Sequence, residues 1–493
     1  MSEKATSSQF DKLILSIALL LIFIIATRTP VDADMWWHLR SGEEMVMQGR
    51  ILLEDIFSYT RYGSPWVNAF WLSDILTYLI FKMGGYFALG GFVALMTVAI
   101  FGIVLKQMQG PAFLRALLLI LAALTAAPIL TPRPQLFSFL LLALLNYWLY
   151  SLKKGTPLFP IWWLIPLFAF WANLHGGYIW GILLLIATFA GEVLNHWFGD
   201  QKEKTDFLPA RTLKKLFIFT ILAIFAVLLN PNGFELWRLP FHTVDVSLAA
   251  IQEWHSPDFH QISFHPMLWL LFLFILGLGN SGKKIDFSDL LKVLGFAYMT
   301  FYSQRNIAPY AIVLLPVMSH HLALTWKNWT VSPAGMRAQR LRASSASQEL
   351  PFKITRMINR LIIILIVVVA LGNLYILTRP AKIDESYPHA AIRWIEENQP
   401  PGRLFNSYNW GGYLTWTLSE YPVFIDGRAD LYGDEIIGQW WQVAGGGEAA
   451  QQILDEWDIK LILLEPSWPV IRELSQYGWE LYYEDELAVI YGK

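Results

Sequence analysis

Ionisable side chains are scarce in this chain and gather in a few short segments, so the chemistry open to each can be named. Ser303-Gln304-Arg305-Asn306 separates two apolar runs, and a guanidinium there can grip a phosphate through two parallel N–H donors. Arg133, flanked by Pro132 and Pro134, offers the same grip; anchoring a helix end at a membrane surface is the plainer role for either arginine. His175, followed by Gly176-Gly177, can meet a phosphate or a sugar hydroxyl, or simply hold a turn. The stretch 232–265 carries Asp245, Glu253, His255, Asp258, His260 and His265. Their spacing matches no compact ligand motif, so a divalent cation is compatible with the sequence but not required by it. Asp426-Gly427-Arg428-Ala429-Asp430 follows a strand-like run. Ligands bind beyond the C-terminal ends of strands in open α/β sheets, so Arg428 and Asp430 can hold a sugar, or else close an ordinary turn.

These groups must be positioned by a membrane scaffold. Of 493 residues, 55% are hydrophobic and only 15% charged, with mean hydropathy +0.41, whereas soluble domains run near 25% charged. An ordinary soluble enzyme, a disordered chain and a nucleic-acid binder with a basic face are excluded. With no cysteine there is no disulfide, thiolate metal site or Cys nucleophile. The net charge of −2 hides a split, since residues 381–493 hold 7 Lys/Arg against 19 Asp/Glu. The chain thus reads as a mainly α polytopic membrane domain over 1–379 and an acidic, water-soluble α/β domain over 380–493.

Apolar segments long enough to span a bilayer lie near 11–28, 66–82, 86–105, 113–131, 135–151, 158–173, 178–197, 213–230, 266–281, 288–303, 306–325 and 358–378. The loop 326–360 sets Lys327, Arg337, Arg340, Arg342, Lys353, Arg356 and Arg360 against Glu349, and such loops stay cytoplasmic. The last span then exports the C-terminal domain. Lys4 and Lys12 keep the N-terminus inside, which exports the loop 30–65. Opposite ends require an odd number of spans, eleven or thirteen, yet twelve segments are apparent. Pro128, Pro132 and Pro134 make 113–151 the expected place for a broken helix. Asp74 and Glu192 fall within apparent spans and should face the protein interior. In the tail, 404–408, 423–426 and 459–464 read as strands, 386–398, 446–457 and 467–476 as helices, and 479–491 as a hairpin.

The exported loop begins Asp32-Ala33-Asp34-Met35-Trp36-Trp37-His38-Leu39 and continues through Asp55-Ile56-Phe57-Ser58-Tyr59-Thr60. Its two adjacent tryptophans suit a helix lying in the interface plane, with Asp34 at its N-terminal end, where a carboxylate caps well. This loop, together with Phe405-Asn406-Ser407-Tyr408-Asn409-Trp410-Gly411-Gly412-Tyr413 and Ile425-Asp426-Gly427-Arg428-Ala429-Asp430, resembles the GT-C glycosyltransferases, and within them an uncharacterised bacterial branch. That class includes protein O-mannosyltransferases, oligosaccharyltransferases and the aminoarabinose transferase.

The resemblance implies an enzyme of the cytoplasmic (inner) membrane that takes a sugar from a polyprenyl-phosphate-linked donor. A glycan, lipid or protein hydroxyl on the outer face would accept it, with inversion. It further implies Asp34 as the base that receives the hydroxyl proton, Asp32 as its substitute and Asp55 as a second carboxylate. Arg305, then Arg133, would grip the donor phosphate, with His175 and His38 as further contacts. A polysaccharide polymerase or ligase would need a larger exported loop than 232–265. A transporter or flippase would show paired inverted repeats, and none is visible; a non-enzymatic scaffold would not need so many ionisable groups on one face.

The charge bias predicts that reporters fused at Ala338 and Trp410 report opposite sides of the membrane, Ala338 cytoplasmic and Trp410 exported. Both reporters on one side would overturn this orientation.

Overall fold

The computed structural model describes residues 2–199, 207–238, 252–337 and 352–493. Asp245, Ala338, Arg340, Arg342 and Glu349 lie outside the described residues. The membrane part consists of α1 (Ser2–Ala26), α2 (Ala33–Gln48), α3 (Trp71–Leu105), α4 (Ala112–Ala126), α5 (Gln135–Lys153) and α6 (Leu164–Leu174). It continues with α7 (Tyr178–Phe198), α8 (Ala210–Ala226), α9 (His265–Asn280), α10 (Phe287–Tyr302), α11 (Ile307–Thr330) and α12 (Phe352–Leu377). Among the described residues eight helices are long and apolar enough to cross a membrane, 161–174 is a shorter apolar helical stretch, and α8 and α10 pack with them. The chain is a multi-pass membrane protein. Its outermost helix, α12, turns Leu361, Ile364, Leu365 and Val368 outward, as a lipid-facing surface requires.

The expected break is in a different place. The segments 66–82 and 86–105 form one bent helix, α3, with non-helical backbone at Gly84 and Gly85. Gly85 has φ 57° and ψ −143°, which a residue with a Cβ rarely adopts. Before the bend one side of α3 meets protein. Ile80 and Phe81 pack against the C-terminal domain, with the Phe81 and Trp416 rings 5.3 Å apart. The proline-rich segment 127–134, by contrast, is an ordinary turn between α4 and α5.

The C-terminal domain is a four-stranded sheet of order β1-β2-β4-β3, with β1 (Arg403–Asn406), β2 (Ile459–Leu464), β3 (Glu480–Glu484) and β4 (Val489–Gly492). β1 and β2 run parallel and the other pairs antiparallel. Helices α13 (His389–Asn398), α14 (Gly411–Thr417), α15 (Ala429–Gly445) and α16 (Glu448–Glu456) surround it. The buried pattern of 423–426 does not make a sheet strand. Asn406 satisfies its backbone instead, accepting from Phe424 N and donating to Ile425 O, both at 2.8 Å, while Val423 bridges Ser58 of the first loop.

Helix α2 is packed between α3 and the C-terminal domain, so its two tryptophans are buried in protein. Trp36 is fully buried, with Tyr86, Tyr387 and Tyr413 edge-on at 5.9, 5.3 and 4.7 Å. Burying an indole of about 200 Å² is worth up to about 5 kcal/mol, so this contact is a major term in docking the domain.

The Asp55–Thr60 motif explains itself as the other half of that joint. Arg428 Nη1 donates to Asp55 Oδ1 at 2.7 Å, and its Nη2 to Asp426 Oδ2 at 2.7 Å. All three side chains are fully buried. Asp55 also accepts from Phe57 N, Ser58 N and Ser58 Oγ, Tyr59 Oη donates to Leu404 O and Thr60 Oγ1 to Phe424 O. Removing one member of a buried pair strands its partner's charge, at about 3–5 kcal/mol. Asp55→Ala should therefore lower thermal stability by that order in detergent, whereas Asp55→Leu combined with Arg428→Met should cost clearly less than the two single losses together. Simple additivity, measured by melting of all variants, would mean that the charges do not interact.

Candidate active site

Asp32 starts α2 by accepting from Asp34 N at 3.0 Å, so the helix N-terminus and the carboxylate of Asp34 are set together. Trp37, one turn on, donates Nε1–H to Asp34 Oδ1 at 3.2 Å. Arg133, from the turn between α4 and α5, fans across three acids: Nε lies 3.3 Å from Asp32 Oδ2, Nη1 2.7 Å from Asp34 Oδ2, and Nη2 meets Glu253 Oε1. The C-terminal domain closes the other side. A Cβ on Gly427 would stand 2.0 Å from Asp34 Oδ1, so only glycine allows this approach.

Glu253 arrives because its segment is fastened to the turn between α10 and α11. Ser303 Oγ donates to Glu253 O at 3.0 Å and Gln304 N to His255 O at 2.9 Å. The same turn presents Arg305, half-buried, with its guanidinium 4.4 Å from the Trp254 ring centre. No carboxylate lies within ion-pair distance of it among the described residues. One guanidinium face is thus stacked and its N–H edges are left for an anion.

The side chain of Asp34 keeps 27% of its surface open, against 11% for Arg133. Its surroundings raise the carboxyl to about 6: burial dominates, Asp32 and Glu253 add to it, and Arg133 and Trp37 oppose it. Burial also acts against ionised Glu253, but Arg133 and Arg305 hold it below the usual range. Asp430, in the first turn of α15, is likewise raised to about 6 by burial. It is half-buried, as is Tyr408.

The other residues singled out in the sequence are placed differently. Asp55 and Arg428 belong to the buried joint and do not reach the open space around Asp34. His38 Nδ1 lies 2.7 Å from Asp74 Oδ1, both buried, which gives Asp74 its partner and ties α2 to α3. Burial, helped by Arg133, holds His38 well below the usual imidazole range. His175 Nδ1 accepts from Gly177 N at 2.9 Å and meets Ser138 Oγ at 2.8 Å. Burial and then Arg305 lower it to about 3. Both imidazoles are neutral and fixed by the fold. Glu192 pairs with Lys153 at 2.9 Å at the far end of the bundle, where Lys153 also meets Asp286.

The acids do not assemble a metal site. Asp32, Asp34 and Glu253 surround the Arg133 guanidinium, which stands where a cation would have to stand. Among the described residues no group of three His, Asp or Glu side chains converges otherwise. Trp254 and Gly427 were not legible as site residues, and Glu253 was visible only as one of several ionisable groups in 232–265, because their contacts cross between segments far apart in sequence.

No family model matches the chain, and no curated protein matches it in sequence. Its fold matches the archaeal oligosaccharyltransferase AglB from Archaeoglobus fulgidus in complex with an inhibitory peptide and a dolichol-phosphate. The TM-score is 0.59 at 12% identity, over 98% of this chain and 74% of that one. The Archaeoglobus fulgidus oligosaccharyltransferase tethered with an acceptor peptide gives 0.55 at 14%, over 92% and 69%. ArnT from Cupriavidus metallidurans bound to undecaprenyl phosphate gives 0.49 at 13%, over 98% of both chains. The fold is that of the Archaeoglobus fulgidus oligosaccharyltransferase. Within this fold, the open acidic cluster sits where the first loop, the turns beyond α4 and α10 and the C-terminal domain meet.

Asp34 should exchange its proton near pH 6. Infrared difference spectra are expected to show a protonated-carboxyl band that grows as pH falls through about 6 and is missing in Asp34→Asn. Arg133→Gln should move that midpoint upward, since it removes the cation and leaves burial and two acids. An unchanged or lowered midpoint would show that Arg133 does not govern this carboxylate.

Proposed function

We propose that the protein transfers a sugar from a polyprenyl-phosphate-linked donor to an acceptor hydroxyl on the extracytoplasmic face, with inversion. One observation carries this reading. Asp34 is an open carboxylate held in place by Arg133 and Gly427, beside an arginine that makes no ion pair among the described residues. The GT-C fold supports it, and the Archaeoglobus fulgidus structure of that fold contains a dolichol-phosphate, itself a polyprenyl phosphate.

The acceptor oxygen attacks the anomeric carbon from the face opposite the phosphate. The bond from that carbon to the phosphate oxygen breaks as the new glycosidic bond forms, and the anomeric centre passes through an oxocarbenium-like state. Asp34 receives the hydroxyl proton. A carboxylate has about four lone-pair sites, and Trp37 and Arg133 occupy two of them. A base near pH 6 is still ionised at neutral pH and is a better proton acceptor than an unperturbed aspartate. The departing phosphate carries the bonding electrons away, and Arg305, stacked on Trp254, stabilises its charge.

The remaining residues take supporting roles in this reading. Asp32 and Arg133 are positioning residues, since the cap and the three-acid clamp consume their hydrogen-bonding groups. Neutral His38 and His175 shape the wall and are not counter-charges for the phosphate. Asp55 and Arg428 hold the domain that brings Gly427 to Asp34. Asp430 and Tyr408 are left on the C-terminal side of the space as contacts for the acceptor. No step runs through a metal ion.

Asn keeps the shape of Asp34 but cannot take a proton. Asp34→Asn should lower transfer about 10²–10⁴-fold in reconstituted membranes while retaining fold and donor-lipid binding, and Asp32→Asn should cost clearly less. Near-normal transfer by Asp34→Asn would exclude Asp34 as the base.

A further inference from the structure

A second space lies beside the clamp. A cavity of about 310 Å³ opens where the chain leaves α1, lined among others by Ala26, Arg28, Thr29, Val93, Leu130 and Thr131. That volume is at the lower end of ligand pockets. Thr131 connects it to the acidic cluster, because its Oγ1 accepts from Arg133 Nε at 3.2 Å. The Nε edge of Arg133 thus faces Thr131 and Asp32, while Nη2 faces Glu253 and the Arg305 turn. The cavity and Arg305 flank opposite edges of one guanidinium, whose Nη1 lies on Asp34.

The lining has the chemistry of an amphiphile's surroundings. Ala26, Val93 and Leu130 are apolar, Thr29 and Thr131 offer hydroxyls, and Arg28 is an exposed cation with no ion-pair or hydrogen-bond partner among the described residues. Arg28 stands two residues past the end of α1, at the depth where lipid head groups meet the helix ends. The cavity wall is continuous with the membrane bundle, since Gly90, also part of the lining, packs against Leu374 and Thr378 at the end of α12.

We propose that this cavity holds the head group of an anionic membrane lipid, its charge on Arg28 and its hydroxyls toward Thr29 and Thr131, and that the acceptor reaches Asp34 by this route as a lipid-borne hydroxyl. This rests on the transfer reaction proposed above and assigns its second substrate to a class. Donor and acceptor then approach Asp34 from the two edges of Arg133, each from the bilayer.

The test is photo-crosslinking of the full-length protein in vesicles of phosphatidylethanolamine and phosphatidylglycerol, with a photoreactive residue at Thr29 and, separately, at Val31. A reference label at Leu365, 64% exposed on α12, reports the bulk lipid ratio. Phosphatidylglycerol should be captured in several-fold excess over that ratio at either cavity position. Arg28→Gln should abolish the excess, and added undecaprenyl phosphate should leave it intact. Capture at the bulk ratio from both positions would overturn the proposal. So would displacement by undecaprenyl phosphate, which would make the cavity the donor's. Because capture is read without turnover, a failure of Asp34 as the base leaves it unchanged, and the two ideas can fail separately.

Discussion

A guanidinium removed from water must be met by carboxylates, and Arg428 imposes that requirement on the whole molecule. Its partner Asp55 lies 373 residues away in the first loop, while its other partner, Asp426, belongs to the C-terminal domain. Satisfying the charge therefore binds the two segments in a single register. Trp36, ringed by Tyr86, Tyr387 and Tyr413, adds apolar area to the same joint. Gly427 lies between Asp426 and Arg428, so the joint that neutralises Arg428 also sets a bare backbone against Asp34.

Arg133 follows the same electrostatic logic with a different outcome. It too is surrounded by acids, but its cluster is only partly closed, and Glu253 keeps 40% of its side-chain surface. A sealed arginine node has no room for a ligand and serves stability. An open one holds its acids in a fixed geometry while leaving their remaining lone pairs accessible, which is what preorganisation for proton transfer requires. Burial around the open node raises Asp34 to about 6 without expelling its charge at neutral pH. The two nodes sit a few residues apart through Gly427, so stability and chemistry are mechanically adjacent.

The bilayer supplies the remaining constraint. Backbone groups in lipid must be satisfied within helices, which leaves polar residues to the short turns at helix ends. The turn after α10 carries Arg305, the turn after α4 carries Arg133, and the turn after α6 carries His175. The bend at Gly84–Gly85 redirects the start of α3 and sets one side of it against the C-terminal domain.

Much of this was determined by the sequence alone, wherever the physics is local or compositional. Apolar runs of bilayer length specify spanning helices, acidic composition separates the tail, and an acid before the amphipathic stretch marks a helix start, though the structure gives the cap to Asp32 and not to Asp34. The first-loop and tail motifs were visible as motifs. Only the tertiary structure decided that they are one object, because Asp55 and Arg428 carry no mark of being each other's partner. The same holds for Glu253 and Trp254, which have no periodicity and gain meaning from the turn they are fastened to. Nor does hydropathy distinguish Phe81 packed against protein from a phenylalanine facing lipid, since both environments are equally dry. Sequence reports which groups want to leave water; the fold alone decides what meets them there.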